Sequence, residues 1–301
     1  GTRGFSGRSS TLYHIRMPTQ VAGFERLEDR RSQLVQDEAL QHRHLKTHNL
    51  PQKGNVVSGR VPIMFNNDVM LAYAHTAEPM PYFFKNADGD EALYIHRGSG
   101  KLESVFGTIP YGPGDYLVIP RGTIYRLAED ESGTRIFVIE SASPIEVPKR
   151  YRNEYGQLVE HAPYRERDIR VPGTLETNQE SGHHEVRILA RGIMNAYHYG
   201  FHPFDLIGWD GYVYPFAFNV NDFQPITGQV HLPPPLHQTF EARNFVICSF
   251  VPRMLDYHPE AVPVPYNHSN IDSDEVLFYA NDKFASRRGI EEGSITLHPS
   301  G

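Results

Sequence analysis

The chain has 301 residues, of which 39% are hydrophobic and 22% charged, and its formal net charge is −7. This length allows one large domain or two small ones with a substantial core. The acidic balance gives no electrostatic reason to expect nucleic acid or an anionic membrane as a partner. The single cysteine, Cys248, excludes an internal disulfide, and no apolar run approaches transmembrane length. We therefore expect a cytoplasmic protein, and the 23 prolines and 25 glycines predict many turns.

Residues 1–60 are predicted to form an N-terminal arm with leading strands. The segment from Leu27 to Leu40 is interpreted as a short helix, although its apolar spacing fits a helix poorly. His42, His44 and His48 follow in a basic run. Their spacing matches no known metal-site geometry, so we interpret this run as a surface or inter-subunit segment.

Residues 61–145 are predicted to form a first β-barrel. Short runs rich in β-branched and aromatic residues alternate with Gly, Pro, Asn and Asp turns, a pattern that is typical of strands. The predicted strands are Val61 to Phe65, Val69 to Tyr73, Ala92 to His96, Lys101 to Phe106, Tyr116 to Ile119 and Arg135 to Ile139.

Residues 146–195 have mixed charge and several prolines, and we predict a solvated connector there. The pair His183-His184 lies within it and invites a metal-site interpretation. Adjacent residues of a strand point to opposite faces, however, so these two imidazoles are not expected to converge on one ion.

Residues 196–301 are predicted to form a second barrel. The segment from His231 to His237 contains three consecutive prolines, which exclude a central strand and fix a rigid backbone. Histidine is suited to general acid/base work because its pKa lies near neutrality. His231 and His237 are therefore candidates, and a structural role is equally compatible with either.

The last stretch carries a metal-ligand pattern. His268 and Glu275 flank a turn-like segment that precedes an apolar run. Imidazole and carboxylate are ligands of mononuclear divalent-metal sites, and a second histidine would complete the two-histidine, one-carboxylate triad of non-haem Fe(II) oxygenases.

This stretch has an earlier counterpart in the chain. The run from Asn86 to Tyr94 aligns without a gap to the run from Asn270 to Phe278, and Gly114 to Gly122 aligns to Gly293 to Gly301. Two matched segments in the same order predict a duplicated strand–turn–strand unit.

The pattern Gly-Asp-x4-Pro-x-Gly, at Gly114 to Gly122, resembles a motif of the cupins, and the chain as a whole resembles the homogentisate 1,2-dioxygenase family, in particular its bacterial members. The segments that carry the resemblance are Gly4 to Gly7, Leu12 to His14, Asn86 to Glu91, Pro113 to Gly122, His202 to Gly211, His237 to Phe240, Phe245 to Ile247, Pro252 to Arg253 and Pro265 to Asn270. The resemblance implies an all-β bicupin, with two double-stranded β-barrel (jelly-roll) domains and few short helices.

The resemblance also implies a function. The expected reaction is the Fe(II)-dependent cleavage of homogentisate by O2 to maleylacetoacetate, in tyrosine and phenylalanine catabolism. His268 and Glu275 would bind the iron, and a third ligand is expected beyond Gly301. In the first barrel Phe84 takes the position of His268 and Tyr125 that of the third ligand, so that barrel is predicted to be metal-free, with Glu91 structural.

The remaining implied roles concern the substrate. The resemblance makes His237 our first candidate acid/base and His231 our second, and His298 is a further one. Tyr266, Asn270 and Tyr279 are expected to bind the substrate or to order His268. The expected partners are a small aromatic substrate and O2, within a homo-oligomer. The alternative is a cupin that binds a small aromatic ligand without this catalysis. The residue three places after Gly301 discriminates between the two, because a histidine there favours the enzyme.

Overall fold

A computed structural model describes residues 1–35, 41–262, 266–283 and 288–301 of the chain. The regular structure of these residues is 21 β-strands and five 3-10 helices of three or four residues. The predicted all-β class with few short helices is therefore confirmed. None of the helices in the described ranges has the length and apolar character that a membrane span requires.

The strands are, in chain order, β1 (Ser10–His14), β2 (Gly23–Asp29), β3 (Arg43–Lys46), β4 (Val61–Phe65), β5 (Val69–His75), β6 (Phe83–Asn86), β7 (Asp90–Arg97), β8 (Gly100–Ser104), β9 (Gly107–Tyr111), β10 (Asp115–Ile119), β11 (Tyr125–Glu129), β12 (Arg135–Ser141), β13 (Ile169–Arg170), β14 (Ser181–Ala190), β15 (Ile193–Phe201), β16 (Leu206–Gly211), β17 (Phe216–Asn219), β18 (Gln238–Ala242), β19 (Phe245–Cys248), β20 (Glu275–Phe278) and β21 (Ser294–His298). The 3-10 helices are Thr47–Asn49, Lys149–Tyr151, Glu166–Asp168, Val220–Asp222 and Pro234–His237. All six strands predicted between residues 61 and 145 are present.

The chain forms two compact units. The larger unit comprises Gly1–Ser32, Lys53–Pro225 and His237–Val251. The smaller unit comprises Gln33–Gln52, Ile226–Leu236 and Pro252–Gly301.

The larger unit is built on two seven-stranded sheets. One has the order β13-β17-β10-β7-β12-β5-β4, and the other the order β2-β15-β14-β6-β11-β8-β9. Leu93 and Leu117 of the first sheet share one buried cluster with Leu102 and Leu127 of the second. Burying each such side chain contributes roughly 1.5–3 kcal/mol, so the two sheets are held face to face by apolar packing.

The predicted repeat is present in the pairing of strands. In the larger unit β7 pairs antiparallel with β10, and Glu91 lies opposite Ile119. In the smaller unit β20 pairs antiparallel with β21, and Glu275 lies opposite His298. These are the partners that the gap-free alignment of the two segments requires, so the register is the same in both copies.

The turns of the two copies also share their backbone hydrogen bonds. Gly122 donates its N–H to the carbonyl of Asn86 at 2.8 Å, and Gly301 donates to Asn270 at 2.9 Å. Gly114 and Gly293 have φ values of 87° and 80°, a conformation that favours glycine. The predicted duplication is therefore confirmed in backbone geometry.

The helix predicted from Leu27 to Leu40 is wrong in its first part, because β2 ends at Asp29 and pairs with β15. Phe24 of β2 stacks on Tyr197 of β15, with ring centroids 6.0 Å apart. The segment has no apolar stripe to bury as a helix, whereas pairing with β15 satisfies its backbone. Residues 36–40 lie outside the described residues.

The predicted domain boundaries also differ from the observed units. The connector predicted over residues 146–195 contributes β13 and β14 to the larger unit, and β14 pairs in parallel with β6. Residues 196–225, predicted as part of the second barrel, also belong to the larger unit. The pairing of β14 with β6 places Val186 opposite Phe83, about 100 residues away in sequence. Local polarity patterns carry no information about contacts between such distant segments.

His183 and His184 lie on β14 and have different neighbours. The ring of His183 stacks on His198 at 5.1 Å, whereas the ring of His184 contacts that of His202 at 4.9 Å. The expectation that the two imidazoles do not converge is therefore confirmed.

His202 is expected to make the stability of the larger unit depend on pH. Burial, reinforced by His184 and Arg126, lowers the pKa of His202 to about 4, and its Nδ1 accepts the N–H of Phe204 at 3.1 Å. The unfolded chain binds this proton near pH 6.5, so the free energy of unfolding should fall as the pH decreases from about 6.5 to 4. Urea denaturation at several pH values would measure the slope, and His202→Asn should flatten it. An unchanged slope in the variant would contradict this assignment.

Candidate functional site

The smaller unit contains a cavity of about 620 Å³ that is lined mainly by polar residues. It lies against the three-stranded sheet β20-β21-β3. The polar side chains around it are those of His42, Arg43, His44, Tyr266, Asn267, His268, Ser269, Asn270, Glu275, Arg288, Thr296 and His298. Four imidazoles, two guanidinium groups and one carboxylate thus share one space.

The period of two in a strand explains how the sheet builds one wall of this cavity. Thr296 and His298 are two residues apart on β21, and alternate residues share a face. Glu275 of β20 lies opposite His298, and His44 of β3 lies opposite Thr296. The register of the three strands therefore brings an acid and two histidines to the same face.

Glu275 and His298 form the central polar pair of the wall. The Nδ1 atom of His298 is 2.7 Å from Oε2 of Glu275, and the two side chains are 19% and 28% exposed. An ionised carboxylate can only accept hydrogen bonds, so His298 donates its Nδ1–H to it. This bond fixes the orientation of the Glu275 carboxylate at the edge of the cavity.

His268 is oriented by its own loop. Its Nδ1 is 3.1 Å from the backbone carbonyl of Tyr266, an atom that can only accept, so Nδ1 carries the proton. The lone pair of the neutral ring is then on Nε2. Metal-binding histidines commonly donate their other ring N–H to a carbonyl in this way.

Tyr266 connects His268 to a second histidine. The Tyr266 hydroxyl is 3.2 Å from Nε2 of His231, and its ring lies 5.5 Å from the ring of His231 and 5.4 Å from that of His268. The Nδ1 atom of His231 is buried without a hydrogen-bond partner among the described residues. His231 is therefore held beside the cavity through Tyr266.

The other predicted site residues have different surroundings. His237 belongs to the larger unit, where it is buried and its ring lies 4.7 Å from that of Phe250. Tyr279 is buried with its hydroxyl 3.4 Å from Oγ1 of Thr296, which itself lines the cavity. Asn270 lines the cavity and accepts the N–H of Gly301 through its carbonyl. The structure thus brings His268, Glu275, His298, Tyr266 and Asn270 to one space, whereas His237 belongs to the other unit.

The basic run of the N-terminal arm is exposed, as the surface interpretation predicted, but it also contributes to the cavity, which was not predicted. His42 and His44 line the cavity, and the ring of His42 lies 5.4 Å from that of His298. The His-x-His spacing, which places both imidazoles on one face of an extended strand, is the signal that could have identified them. The imidazole of His48 instead contacts the carboxylate of Glu291 at 3.2 Å. A hydrogen bond from Lys46 lowers the pKa of Glu291.

The donor atoms fit a divalent metal in chemistry but not in number. His268 presents an Nε2 lone pair and Glu275 an oriented carboxylate, as a mononuclear site requires. Within the part of the chain that the structure describes, however, no three His, Cys, Asp or Glu side chains form a metal-binding group. Two residues predicted as ligands, His268 and Glu275, thus line the same cavity.

Comparison with known proteins gives consistent matches over most of the chain. A sequence model described as "Homogentisate 1,2-dioxygenase N-terminal" matches residues 5–220. A protein of Saccharolobus solfataricus that carries a provisional dioxygenase name is 44% identical over the whole of this chain, which covers 78% of that protein. The homogentisate 1,2-dioxygenase of Sinorhizobium fredii is 23% identical over 75% of this chain.

The chain spans about half the length of the homogentisate 1,2-dioxygenases that it matches, 51% in the Sinorhizobium fredii protein. Among solved structures, a cupin 2 conserved barrel domain protein from Leptotrichia buccalis aligns with a TM-score of 0.29 and 11% identity, covering 59% of this chain and 96% of its own. A likeness at that score supports no inference. The sequence match over residues 5–220 shows that this chain belongs to the homogentisate 1,2-dioxygenase N-terminal family.

Proposed function

We propose that the protein is an Fe(II)-dependent dioxygenase that cleaves the aromatic ring of homogentisate with O2 to give maleylacetoacetate. Family membership supports the dioxygenase class. The observation that carries the proposal within the chain is the convergence of His268 and Glu275 on one polar cavity, each oriented by a hydrogen bond.

In this proposal His268 binds the metal through Nε2 and Glu275 through its carboxylate. The third ligand is proposed three residues after Gly301, at the counterpart of Tyr125. Bound Fe(II) would supply open coordination positions for the substrate oxygens and O2. The role of His298 is to hold the Glu275 carboxylate in one orientation, since the loss of such an outer partner typically weakens metal binding about 10–100-fold.

The charge of the cavity suits an anionic aromatic substrate. Arg43 and Arg288 line it together with four histidines, against a single lining carboxylate, Glu275. Guanidinium groups bind carboxylates through charge-assisted hydrogen bonds. We propose that these two arginines and Asn270 bind the side-chain carboxylate of the substrate, while Tyr266 contacts its ring or hydroxyl groups.

His231 is the proposed general base. It is hydrogen-bonded to the hydroxyl of Tyr266, a residue that lines the cavity. We propose that a proton passes from a substrate hydroxyl through this tyrosine to the imidazole. The proton would be stored on His231 and returned along the same path. A base is useful here because a deprotonated ring hydroxyl is richer in electrons and easier to oxidise.

The test is oxygen uptake by the native-length protein after anaerobic reconstitution with Fe(II). With homogentisate we expect one O2 consumed per substrate and a new ultraviolet absorbance from the ring-opened product. Gentisate, which lacks one methylene group, is the matched control for the substrate and should react more slowly. Binding of homogentisate with no oxygen consumption by the iron-loaded protein would contradict the proposal and favour the ligand-binding alternative.

A further inference from the structure

The interior of the larger unit holds a buried guanidinium group, that of Arg60, whose side chain is only 3% exposed. It forms ion pairs with Glu91, which is completely buried, and with Glu140 at 2.7 Å. Its Nε donates to the carbonyl of Val56 at 2.8 Å. A cation in such a place is tolerated only when charges and hydrogen bonds compensate its lost hydration.

Two aromatic side chains complete the surroundings of this cation. The guanidinium carbon lies 5.6 Å from the centre of the Phe84 ring, within the range of a cation–π contact. The Tyr125 hydroxyl accepts from Nη2 of Arg60 at 3.2 Å and donates to Oε2 of Glu91 at 2.6 Å. Burial and the charge of Glu91 raise the pKa of Tyr125, which keeps the phenol in the neutral form that this donation needs.

Three of these neighbours occupy the repeat positions of the proposed metal ligands. Counted through the repeat, Glu91 is the counterpart of Glu275 and Phe84 that of His268. Tyr125 lies three residues after Gly122, where the proposed third ligand follows Gly301. The shared strand register and the shared glycine hydrogen bonds make this correspondence structural as well as sequential.

We propose that the guanidinium of Arg60 takes the place of a divalent metal ion in the larger unit. The equivalence of this position to a metal position rests on the proposed function, whereas the presence of a buried cation there does not. A guanidinium forms no coordinate bonds, so the site can keep one carboxylate and replace its other donors with a π face and a phenol oxygen. This explains why Phe84, which cannot bind a metal, stands where the other copy has a histidine.

The proposal predicts that the site accepts a free cation when its own is removed. In Arg60→Ala the thermal midpoint should fall by more than about 10 °C, because Glu91 is left buried and unpaired. Millimolar methylguanidinium should recover at least half of that loss. Arg126→Ala is the matched control, since it breaks an arginine–glutamate pair near the surface and leaves no enclosed site. The proposal would be overturned if methylguanidinium raised the thermal midpoint equally in both variants, or did not raise it in Arg60→Ala.

If Arg60→Ala does not fold, refolding from urea with and without methylguanidinium gives the same readout. Recovery of the native spectrum only with the cation supports the proposal, and recovery that is independent of the cation overturns it.

A second experiment tests the equivalence to a metal site. The triple variant Arg60→Ala/Phe84→His/Tyr125→His restores two imidazoles around Glu91 and is expected to bind one more Co(II) per chain than the wild type, with visible d–d absorption. The double variant Phe84→His/Tyr125→His, which keeps Arg60, should bind no additional ion. Failure of the folded triple variant to bind Co(II) would show that these positions do not converge as a metal site does. Because neither readout depends on oxygen uptake, failure here is distinguishable from failure of the proposed function.

Discussion

Replacing His268 or Glu275 by alanine is expected to reduce oxygen uptake with homogentisate by more than about 100-fold. Loss of a hydrogen-bond partner behind a metal ligand alone costs about 10–100-fold, and loss of the ligand itself should cost more. Each substitution removes one of the two proposed metal ligands that line the cavity. The measurement is kcat/KM at saturating Fe(II), together with the iron content of each variant after reconstitution.

His48→Ala is the matched control for this experiment. His48 belongs to the same unit and to the same basic run as His42 and His44, but its imidazole pairs with Glu291 rather than lining the cavity. We expect its kcat/KM to stay within about a factor of three of the wild type. A comparable loss in His48→Ala and His268→Ala would mean that the effect is general destabilisation of the unit.

Replacing His231 by glutamine is expected to lower kcat by about 10²–10⁴-fold, the usual contribution of a general base. KM should change much less, because His231 contacts the Tyr266 hydroxyl rather than the cavity itself. The acidic limb of the pH–rate profile reports protonation of the base, so it should be absent in His231→Gln. Tyr266→Phe, which removes the connecting hydroxyl and keeps the ring, should reproduce part of the loss in kcat.

His237→Gln provides the comparison, because both histidines flank the same triple proline. The His237 ring is buried against Phe250, so we expect a lower thermal midpoint with kcat nearly unchanged. The opposite ranking, with kcat lost in His237→Gln and retained in His231→Gln, would contradict the assignment of the base.

The repeat explains why so much of the fold and the site could be predicted from the sequence. Because a period of two ties each residue to a face of the strand, the alignment of Glu91 with Glu275 implies that the residues opposite them are equivalent too, as Ile119 and His298 are. His268 and Glu275 were identified because their residue types and their positions at a strand–turn boundary are local features.

Other features depend on contacts that no local pattern records. Arg60 is remote in sequence from Glu91 and Glu140, so nothing near it indicated a buried ion pair. The parallel pairing of β14 with β6 placed a charged segment within a sheet, which the mixed polarity of residues 146–195 argued against. The role of His44 depended on β3 pairing with β21, which joins residues about 250 positions apart.

The most direct test of the central claim, that His268 and Glu275 hold the catalytic iron, is an anaerobic Fe(II) titration of the native-length protein by equilibrium dialysis. We predict one tightly bound Fe(II) per chain in the wild type and in His48→Ala, and weak or no binding in His268→Ala and Glu275→Ala. Stoichiometric iron in the double variant His268→Ala/Glu275→Ala would contradict the claim, since it would place the iron elsewhere in the molecule.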